Sequence, residues 1–234
     1  MSTSDEVTAL TPGGPQRVEV LGAEFLNTTV KRFTLSRPKG FRFTPGQGCM
    51  VAVDSDGWRD KARPFTFTAL PGARTLELII KIYDEHQGVT WRMRTVGKGD
   101  HLLLGEAFGT ITYKGPGVLF AGGAGITPFL AILRQLHQHK ALKGHTLVWS
   151  NRTAGDVFLD AELGRMLGRH YLKTFTRENV IGFRDRRIDR DDLVQLVRDF
   201  DQRFYLCGPE SFVTDLKALL LDLGAAPESL VFES

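Results

Sequence analysis

Cysteine is scarce in this chain of 234 residues, which contains only Cys49 and Cys207. Two thiols exclude a four-cysteine iron–sulfur cluster or a four-cysteine zinc site within these residues. No apolar run approaches the ~20 residues that span a bilayer, and residues 1–15 lack the basic and then apolar pattern of a signal peptide. We therefore expect a cytoplasmic protein without membrane contact, in which a disulfide between the two cysteines is disfavoured.

An excess of charge of one sign is also missing. The sequence has 30 Lys and Arg against 27 Asp and Glu, which gives a net charge of +3. This balance is too small to indicate a nucleic-acid partner, although it suits an acidic protein partner. The six histidines show no metal-ligand spacing, so we expect no metal site.

The first part of the sequence, from residue 16 to residue 114, has the pattern of an all-β domain. Short alternating segments such as Arg17–Leu21, Cys49–Val53 and Leu76–Tyr83 are separated by Gly and Pro turns. This spacing predicts a small antiparallel β-barrel. We predict one short helix within it, at Gly88–Arg94, and a flexible tail over residues 1–15.

The second part, from residue 115 to residue 234, alternates strands with helices. This alternation predicts a doubly wound α/β domain with a five-stranded parallel sheet. The predicted strands are Val118–Ala121, His145–Trp149, Leu172–Phe175, Phe204–Cys207 and Ser229–Phe232. The sequence therefore predicts two domains, a β-barrel followed by an α/β sheet.

A glycine-rich turn follows the first predicted strand of the α/β domain. Gly123 and Gly125 allow a tight turn and a close approach of a ligand to the backbone. We predict that Thr127 caps the next helix with its hydroxyl and that Pro128 takes the first helical position. The free N–H groups at such a helix start favour an anion, such as the pyrophosphate of a dinucleotide.

The order of four motifs resembles the ferredoxin–NADP reductase superfamily of flavoproteins, over nearly the whole chain from about residue 16. The motifs are Arg63–Thr68, Gly88–Thr90, Gly122–Pro128 and Cys207–Pro209. The resemblance implies an antiparallel barrel that binds flavin and an α/β domain that binds a nicotinamide nucleotide. It further implies transfer of hydride from the nicotinamide to the flavin N5.

The first motif, Arg63-Pro64-Phe65-Thr66, resembles the family's Arg-x-Tyr-Ser flavin motif. The resemblance implies that Arg63 binds the FAD diphosphate, that Phe65 packs against the isoalloxazine and that the Thr66 hydroxyl contacts the flavin N5. Phe65 replaces the family's Tyr, so ring packing is kept and the phenol's hydrogen bond is lost.

The second motif implies a contact with the flavin pyrophosphate. Gly88, Val89 and Thr90 resemble the family's Gly-x-Ser/Thr step, in which a helix start and a hydroxyl hold this group. Lys81 lies just before it, at the end of a predicted strand, and is included among the candidate flavin-binding residues. A simple helix cap is the alternative for this motif.

The two motifs of the α/β domain imply a nicotinamide site. By the resemblance, Gly123, Gly125, Thr127 and Pro128 belong to the nucleotide loop, and Cys207-Gly208-Pro209 matches the family's Cys-Gly-Pro. In a doubly wound sheet the first and fourth strands are neighbours, so we expect both loops to line one crevice. Cys207 is then a candidate for positioning the nicotinamide, while a small buried residue is the alternative.

Three residues bear on the choice of nicotinamide cofactor. Thr176 and Arg177 resemble the Ser-Arg with which NADP-using members hold the 2′-phosphate, and Arg152 follows the second strand. No acidic residue ends that strand to bind a ribose diol. These residues favour NADPH over NADH, with solvated surface charge as the alternative.

The last residues supply two further candidates. Some family members use an acidic residue near the flavin, which makes Glu233 a candidate catalytic residue beside Thr66 and Cys207. Phe232 could instead cover a flavin face. A frayed C-terminus without a role is the alternative for both.

The sequence leaves three functions open. The first is an FAD-dependent NAD(P)H reductase that passes electrons to a separate acceptor, such as a ferredoxin, a flavodoxin or an oxygenase component. The second is an NAD(P)H:flavin reductase that uses flavin as a diffusible substrate. The third is a non-catalytic flavin-binding subunit that regulates a larger assembly.

Overall fold

A computed structural model describes residues 14–85, 87–109 and 111–232. The chain divides into two compact units, Met1–Gly109 and Thr110–Ser234. Most of the predicted tail, residues 1–13, lies outside the described residues.

The described part of the first unit is built of seven strands and one short helix. In chain order these are β1 (Gln16–Phe25), β2 (Val30–Ser36), β3 (Gln47–Val53), β4 (Arg63–Thr66), β5 (Thr75–Lys81), α1 (Val89–Met93), β6 (His101–Leu104) and β7 (Phe108–Gly109). The short helix is where the sequence predicted it, while β6 and β7 have too few residues to show a clear alternation.

The strands of this unit form an antiparallel barrel, as predicted. Their order is β4-β3-β6-β1-β2-β5, with β7 beside β3. The two ends of this order meet just beyond β4, where Phe67 forms a bridge with Leu78 of β5 and the Thr68 N–H donates to the Glu77 carbonyl at 3.0 Å. Closure leaves few unpaired strand edges and encloses an apolar core that includes Phe33 and Phe67.

A buried lysine fixes α1 to this barrel. Lys31 is 6% exposed, and its ammonium donates to the carbonyls of Arg94 and Val96, each at 2.7 Å. A third bond, of 3.4 Å, goes to the Met93 carbonyl. Burial and the nearby Arg94 guanidinium lower the pKa of Lys31. The side chain thus bonds carbonyls at the end of α1 and in the residues that follow it, where the helix no longer supplies backbone partners.

The second unit is an α/β sheet whose described strands and helices alternate. They are β8 (Gly117–Gly122), α2 (Thr127–Gln138), β9 (His145–Asn151), α3 (Asp160–Leu167), β10 (Tyr171–Phe175), α4 (Arg190–Leu196), β11 (Arg203–Cys207), α5 (Glu210–Asp222) and β12 (Leu230–Phe232). All strand pairs are parallel and the order is β10-β9-β8-β11-β12. This is the five-stranded doubly wound sheet that the sequence predicted.

The strand order reverses between β8 and β11, where the register pairs Ala121 with Cys207. Crossovers to either side leave a crevice at the carboxyl ends of these two strands. One face of the sheet packs against α4 and α5 through a core that includes Phe120, Phe204 and Leu216. The glycine turn and Cys207–Pro209 both follow the strands at this switch point.

Within residues 14–232, apart from His86 and Thr110, no helix is long and apolar enough to cross a bilayer.

Candidate cofactor-binding sites

The two loops at the switch point of the sheet are in direct contact. A Cβ atom on Gly125 would lie 2.3 Å from the Cys207 carbonyl oxygen and 2.6 Å from the Gly208 nitrogen. Gly208 has a φ of +154° and lies close to the Gly122 backbone, so a side chain there would be both strained and crowded. The glycines thus allow two backbone segments to approach more closely than any other residues would.

A cleft of about 430 Å³ opens beside these loops. Cys207, Gly208 and Phe232, which the sequence proposed as cofactor-binding residues, all line it. Thr214 and Lys217 of α5 line it as well, and the Lys217 ammonium lies 4.6 Å from the centre of the Phe232 ring. The structure therefore brings three of the predicted residues to one cavity within the second unit.

The start of α2 differs from the prediction at Thr127. A turn of 3-10 helix over Gly123–Ile126 precedes α2, and the first helical residue is Thr127 itself. Its hydroxyl donates to the Ala124 carbonyl at 3.0 Å, so the predicted capping role was wrong. Pro128 is the second helical residue rather than the first. The first turn of α2 contains no acidic residue, which leaves the positive end of the helix dipole uncompensated.

Arg152, Thr176 and Arg177 lie together where β9 and β10 end. The Thr176 N–H donates to the Asn151 carbonyl and the Arg177 N–H to the Arg152 carbonyl, each at 2.9 Å. Both arginines are exposed, and neither forms an ion pair with any residue that the structure describes. Two guanidinium groups without ion pairs, placed where two neighbouring strands end, can bind a phosphate.

In the first unit, Arg63 and Pro64 are exposed at the start of β4. The Arg63 Nη1 donates to its neighbour's carbonyl, on Ala62, at 2.8 Å, and it makes no ion pair with the described part of the chain. Phe65 is half-buried against the barrel core, and Thr66 is 9% exposed. The strand thus exposes the Arg63 guanidinium at its start and largely buries the Thr66 side chain at its end.

Helix α1 lies beside the entry to β4. The rings of Trp58 and Trp91 are 6.4 Å apart, and the Lys61 ammonium lies 4.7 Å from the Trp58 ring. Trp91 belongs to α1, and Lys61 is two residues before Arg63. These contacts therefore connect the helix to the segment that carries the arginine.

The motif at the start of this helix presents backbone and one hydroxyl. Gly88 is the N-cap residue, with extended backbone and no side-chain cap. The Val89 side chain is buried in the core, so only its backbone could contact a ligand, while Thr90 is half-buried. Lys81 ends β5, paired with Val30 of β2.

One predicted site residue, Glu233, lies outside the described residues, and the other cysteine of the chain, Cys49, lies inside the first unit. The catalytic role of Glu233 therefore stays a prediction. Cys49 is fully buried in the barrel core, where burial raises the pKa of its thiol to about 12. A thiol of this kind is unreactive at neutral pH.

Sequence reasoning missed Glu210, Thr214 and Lys217, which line the cleft, and Asn151 at the end of β9. Lys217 follows Glu210 and Thr214 at helical spacing on α5, and this period could have revealed that all three line the same cleft. Asn151, the last residue of β9, is 4% exposed. No sequence signal distinguishes it from an ordinary strand end.

The described residues fit the proposed cofactors. A crowded glycine turn at the switch point of a parallel sheet is the usual place of a dinucleotide, and the exposed Arg152 and Arg177 of the same unit suit its phosphates. In the first unit, the exposed Arg63 suits the diphosphate of a flavin nucleotide. The described residues contain no group of three or more His, Cys, Asp or Glu side chains that could hold a metal ion.

Comparison with known proteins agrees with this geometry. Residues 119–218 match the family model described as "Oxidoreductase NAD-binding domain". NADH oxidoreductase HCR of Escherichia coli is 28% identical over 181 residues, which cover 74% of this chain and 54% of the relative. The reductase component of propane 2-monooxygenase of Mycolicibacterium smegmatis is 27% identical, with coverage of 83% and 59%. The chain thus spans little more than half the length of these relatives.

A solved structure shares the fold over most of the chain. A ferredoxin NADP+ reductase from Neisseria gonorrhoeae, with bound FAD and NADP, superposes with a TM-score of 0.78. It is 23% identical, and the match covers 90% of this chain and 92% of that one. The barrel followed by a parallel sheet is the arrangement common to both.

Proposed function

We propose that this chain, which has the ferredoxin–NADP reductase fold and contains an oxidoreductase NAD-binding domain, is an FAD-dependent NAD(P)H reductase. Its substrate is the reduced nicotinamide cofactor. The electrons go on to a one-electron acceptor outside these 234 residues, such as a ferredoxin, a flavodoxin or an oxygenase component. We place this activity in the cytoplasm.

One observation carries the proposal: the contact of Gly125 with the backbone of Cys207 and Gly208, beside a cleft that Phe232 also lines. It supports a nicotinamide site at the switch point, since the crowded glycines leave no room for side chains between the two loops. Cys207 then positions the nicotinamide by contact. Its thiol forms no covalent bond in this scheme.

The residues of the first unit bind and orient the flavin in this proposal. When bound, FAD accepts a hydride from NAD(P)H at N5 and releases electrons singly. Arg63 binds the diphosphate with its exposed guanidinium, Phe65 packs beside the ring system, and the Thr66 hydroxyl forms a hydrogen bond at N5. The Thr90 hydroxyl and the Gly88 backbone contact the pyrophosphate from α1, with Lys81 nearby.

The residues of the second unit bind the nicotinamide cofactor. The N–H groups at the start of α2, near Gly123, Thr127 and Pro128, face its pyrophosphate, because no acidic side chain compensates the helix dipole there. Reaction requires the nicotinamide held by this unit to reach the flavin held by the other. Orienting the two cofactors is the main catalytic contribution of the chain.

The cofactor preference we propose is NADPH. Arg152 and Arg177 support it. Their guanidinium groups are exposed and form no ion pair with the described residues, and a backbone hydrogen bond holds the two residues together where β9 and β10 end. Replacing Arg177 by Ala is expected to raise KM for NADPH about tenfold, the effect of one lost charged hydrogen bond, with little change for NADH. Arg198→Ala, an exposed arginine on another segment, is the matched control. A clear NADH preference in the unmodified protein would refute the choice.

Purification tests the flavin assignment. A yellow protein that contains about one FAD per chain, bleached by NADPH without oxygen, supports the proposal. A colourless protein that reduces added flavin supports the diffusible-flavin alternative. Bound flavin that neither nicotinamide cofactor reduces would indicate the regulatory subunit instead.

A further inference from the structure

The side chain of Asn151 is buried without a hydrogen-bond partner. The residue is 4% exposed, and neither its amide nitrogen nor its amide oxygen meets a partner among the described residues. Burial of an unpaired amide costs free energy. Native proteins keep few such groups, and each calls for an explanation, such as a bound water or a functional role.

The position of Asn151 points to a nucleotide as the missing partner. Asn151 ends β9 and is adjacent to Arg152, whose carbonyl accepts from the Arg177 N–H. The preceding residue, Ser150, pairs with Gly122 of β8. The carboxamide therefore lies between the glycine turn and the two free arginines.

The direction of the side chain supports this assignment. Residues two apart on a strand point to the same face of the sheet, so Asn151 shares the face of Trp149. The Trp149 indole N–H donates to the carbonyl of Gly123, at 2.8 Å. Asn151 thus points toward the side of the sheet on which the glycine turn lies.

The unpaired Asn151 carboxamide limits which groups of a ligand can pair with it. A carboxamide offers both donors and an acceptor, and here both kinds are unpaired. A phosphate would pair only with the amide N–H donors, since at neutral pH it acts as a hydrogen-bond acceptor and not as a donor. A hydroxyl group both donates and accepts, and the ribose of an adenine nucleotide carries two of them.

We propose that Asn151 binds a hydroxyl of the adenosine ribose of the nicotinamide cofactor. The inference rests on the proposed function, because it presupposes that this edge of the sheet binds such a nucleotide. With NADPH, the ribose 3′-hydroxyl is the group that remains for Asn151 when the arginines bind the 2′-phosphate. The carboxamide is closed from solvent, so the proposal requires the residues around it to move before the ribose can reach it.

Calorimetric titration of the FAD-loaded chain with ADP and with 2′,3′-dideoxy-ADP tests the inference. The unmodified protein should bind ADP about tenfold more tightly, since the dideoxy compound lacks the hydroxyls. Asn151→Leu, similar in shape, should bind the two alike while its Tm stays level or rises, because an unpaired amide is removed. Asn179→Leu, at an exposed asparagine of the neighbouring loop, should keep the preference.

Each other outcome has a separate meaning. If the unmodified protein binds neither ADP nor NADPH, the proposed function itself fails. If ADP binds but removing its hydroxyls has no effect, or if Asn151→Leu keeps the preference for ADP, the inference about Asn151 alone is overturned. Equal weakening of both ligands by Asn151→Leu would place the carboxamide at a phosphate and would also overturn it. The comparison of the two ligands on the unmodified protein holds even if the variant fails to fold.

Discussion

Replacement of Gly125 by alanine perturbs the contact between the two loops at the switch point. The new Cβ would lie 2.3 Å from the Cys207 carbonyl oxygen and 2.5 Å from its carbonyl carbon, where ordinary contacts begin at 3.4 Å. Both atoms belong to the backbone, so no side-chain rotation relieves the clash. The Cys207–Gly208 segment must therefore move away by about 1 Å, or the glycine turn must.

The size of this shift sets the expected effects. Forcing an extra methyl group into a packed site costs about 1–3 kcal/mol of unfolding free energy. A displacement of about 1 Å at a positioning residue can cost about 100-fold in rate. We expect Gly125→Ala to fold, to bind FAD as the unmodified protein does, and to reduce its flavin about 100-fold more slowly with NADPH.

The assay pairs urea unfolding with anaerobic stopped-flow measurement of flavin reduction. Gly164→Ala is the matched control: it lies within α3, a Cβ there meets nothing within 4 Å, and alanine favours a helix by up to about 1 kcal/mol. It should leave the reduction rate unchanged and the protein at least as stable. Flavin reduction at the normal rate in Gly125→Ala would refute the role given to this contact.

Three further predictions follow from buried or partly buried polar groups. Lys31→Met removes the ammonium from carbonyls at the end of α1 and should lower the free energy of unfolding by about 3 kcal/mol in urea, whereas Lys39→Met, at an exposed lysine, should change it little. Burial lowers the pKa of His145, so the folded state disfavours the charged ring. The free energy of unfolding should be highest above the unfolded pKa of about 6.5 and should fall as the pH drops below it. Denaturation curves between pH 7 and pH 5 measure this loss of stability with pH. His145→Gln should make the loss smaller, and an unchanged loss would contradict the assignment to His145. Thr66→Ala should slow flavin reduction about tenfold through loss of one hydrogen bond, while Thr66→Ser should restore it.

The fold could be predicted from the sequence because its strands and helices have clear hydrophobic periodicity and are separated by Gly and Pro turns. Alternation and Gly–Pro turns identified the barrel, and buried runs such as Val118–Ala121 identified the parallel strands. The sequence left Asp189 and Asp191 open as caps of α4, and Asp189 is the cap: it accepts from the Asp192 N–H at 2.9 Å. Such signals are local, so they can be read from the sequence without knowledge of the tertiary contacts.

The details of the site depended on tertiary contacts and were less predictable. The Thr127 hydroxyl bonds backward to Ala124 because a 3-10 turn displaces the helix start, and residue type alone does not reveal such a turn. Arg184 and Arg186 likewise both pair with Asp192, whose side chain is fully buried. Long-range pairing of this kind has no local pattern.

Hydride transfer from NADPH to bound FAD is the central claim, and one measurement tests it most directly. The FAD-loaded protein is mixed without oxygen with NADPH that carries deuterium at the transferred position of the nicotinamide C4, and flavin absorbance is followed within a single turnover. We predict that the flavin bleaches and that the deuterated cofactor bleaches it more slowly, since the C–D bond is broken in that step. Flavin that stays oxidised with both NADPH and NADH would contradict the account.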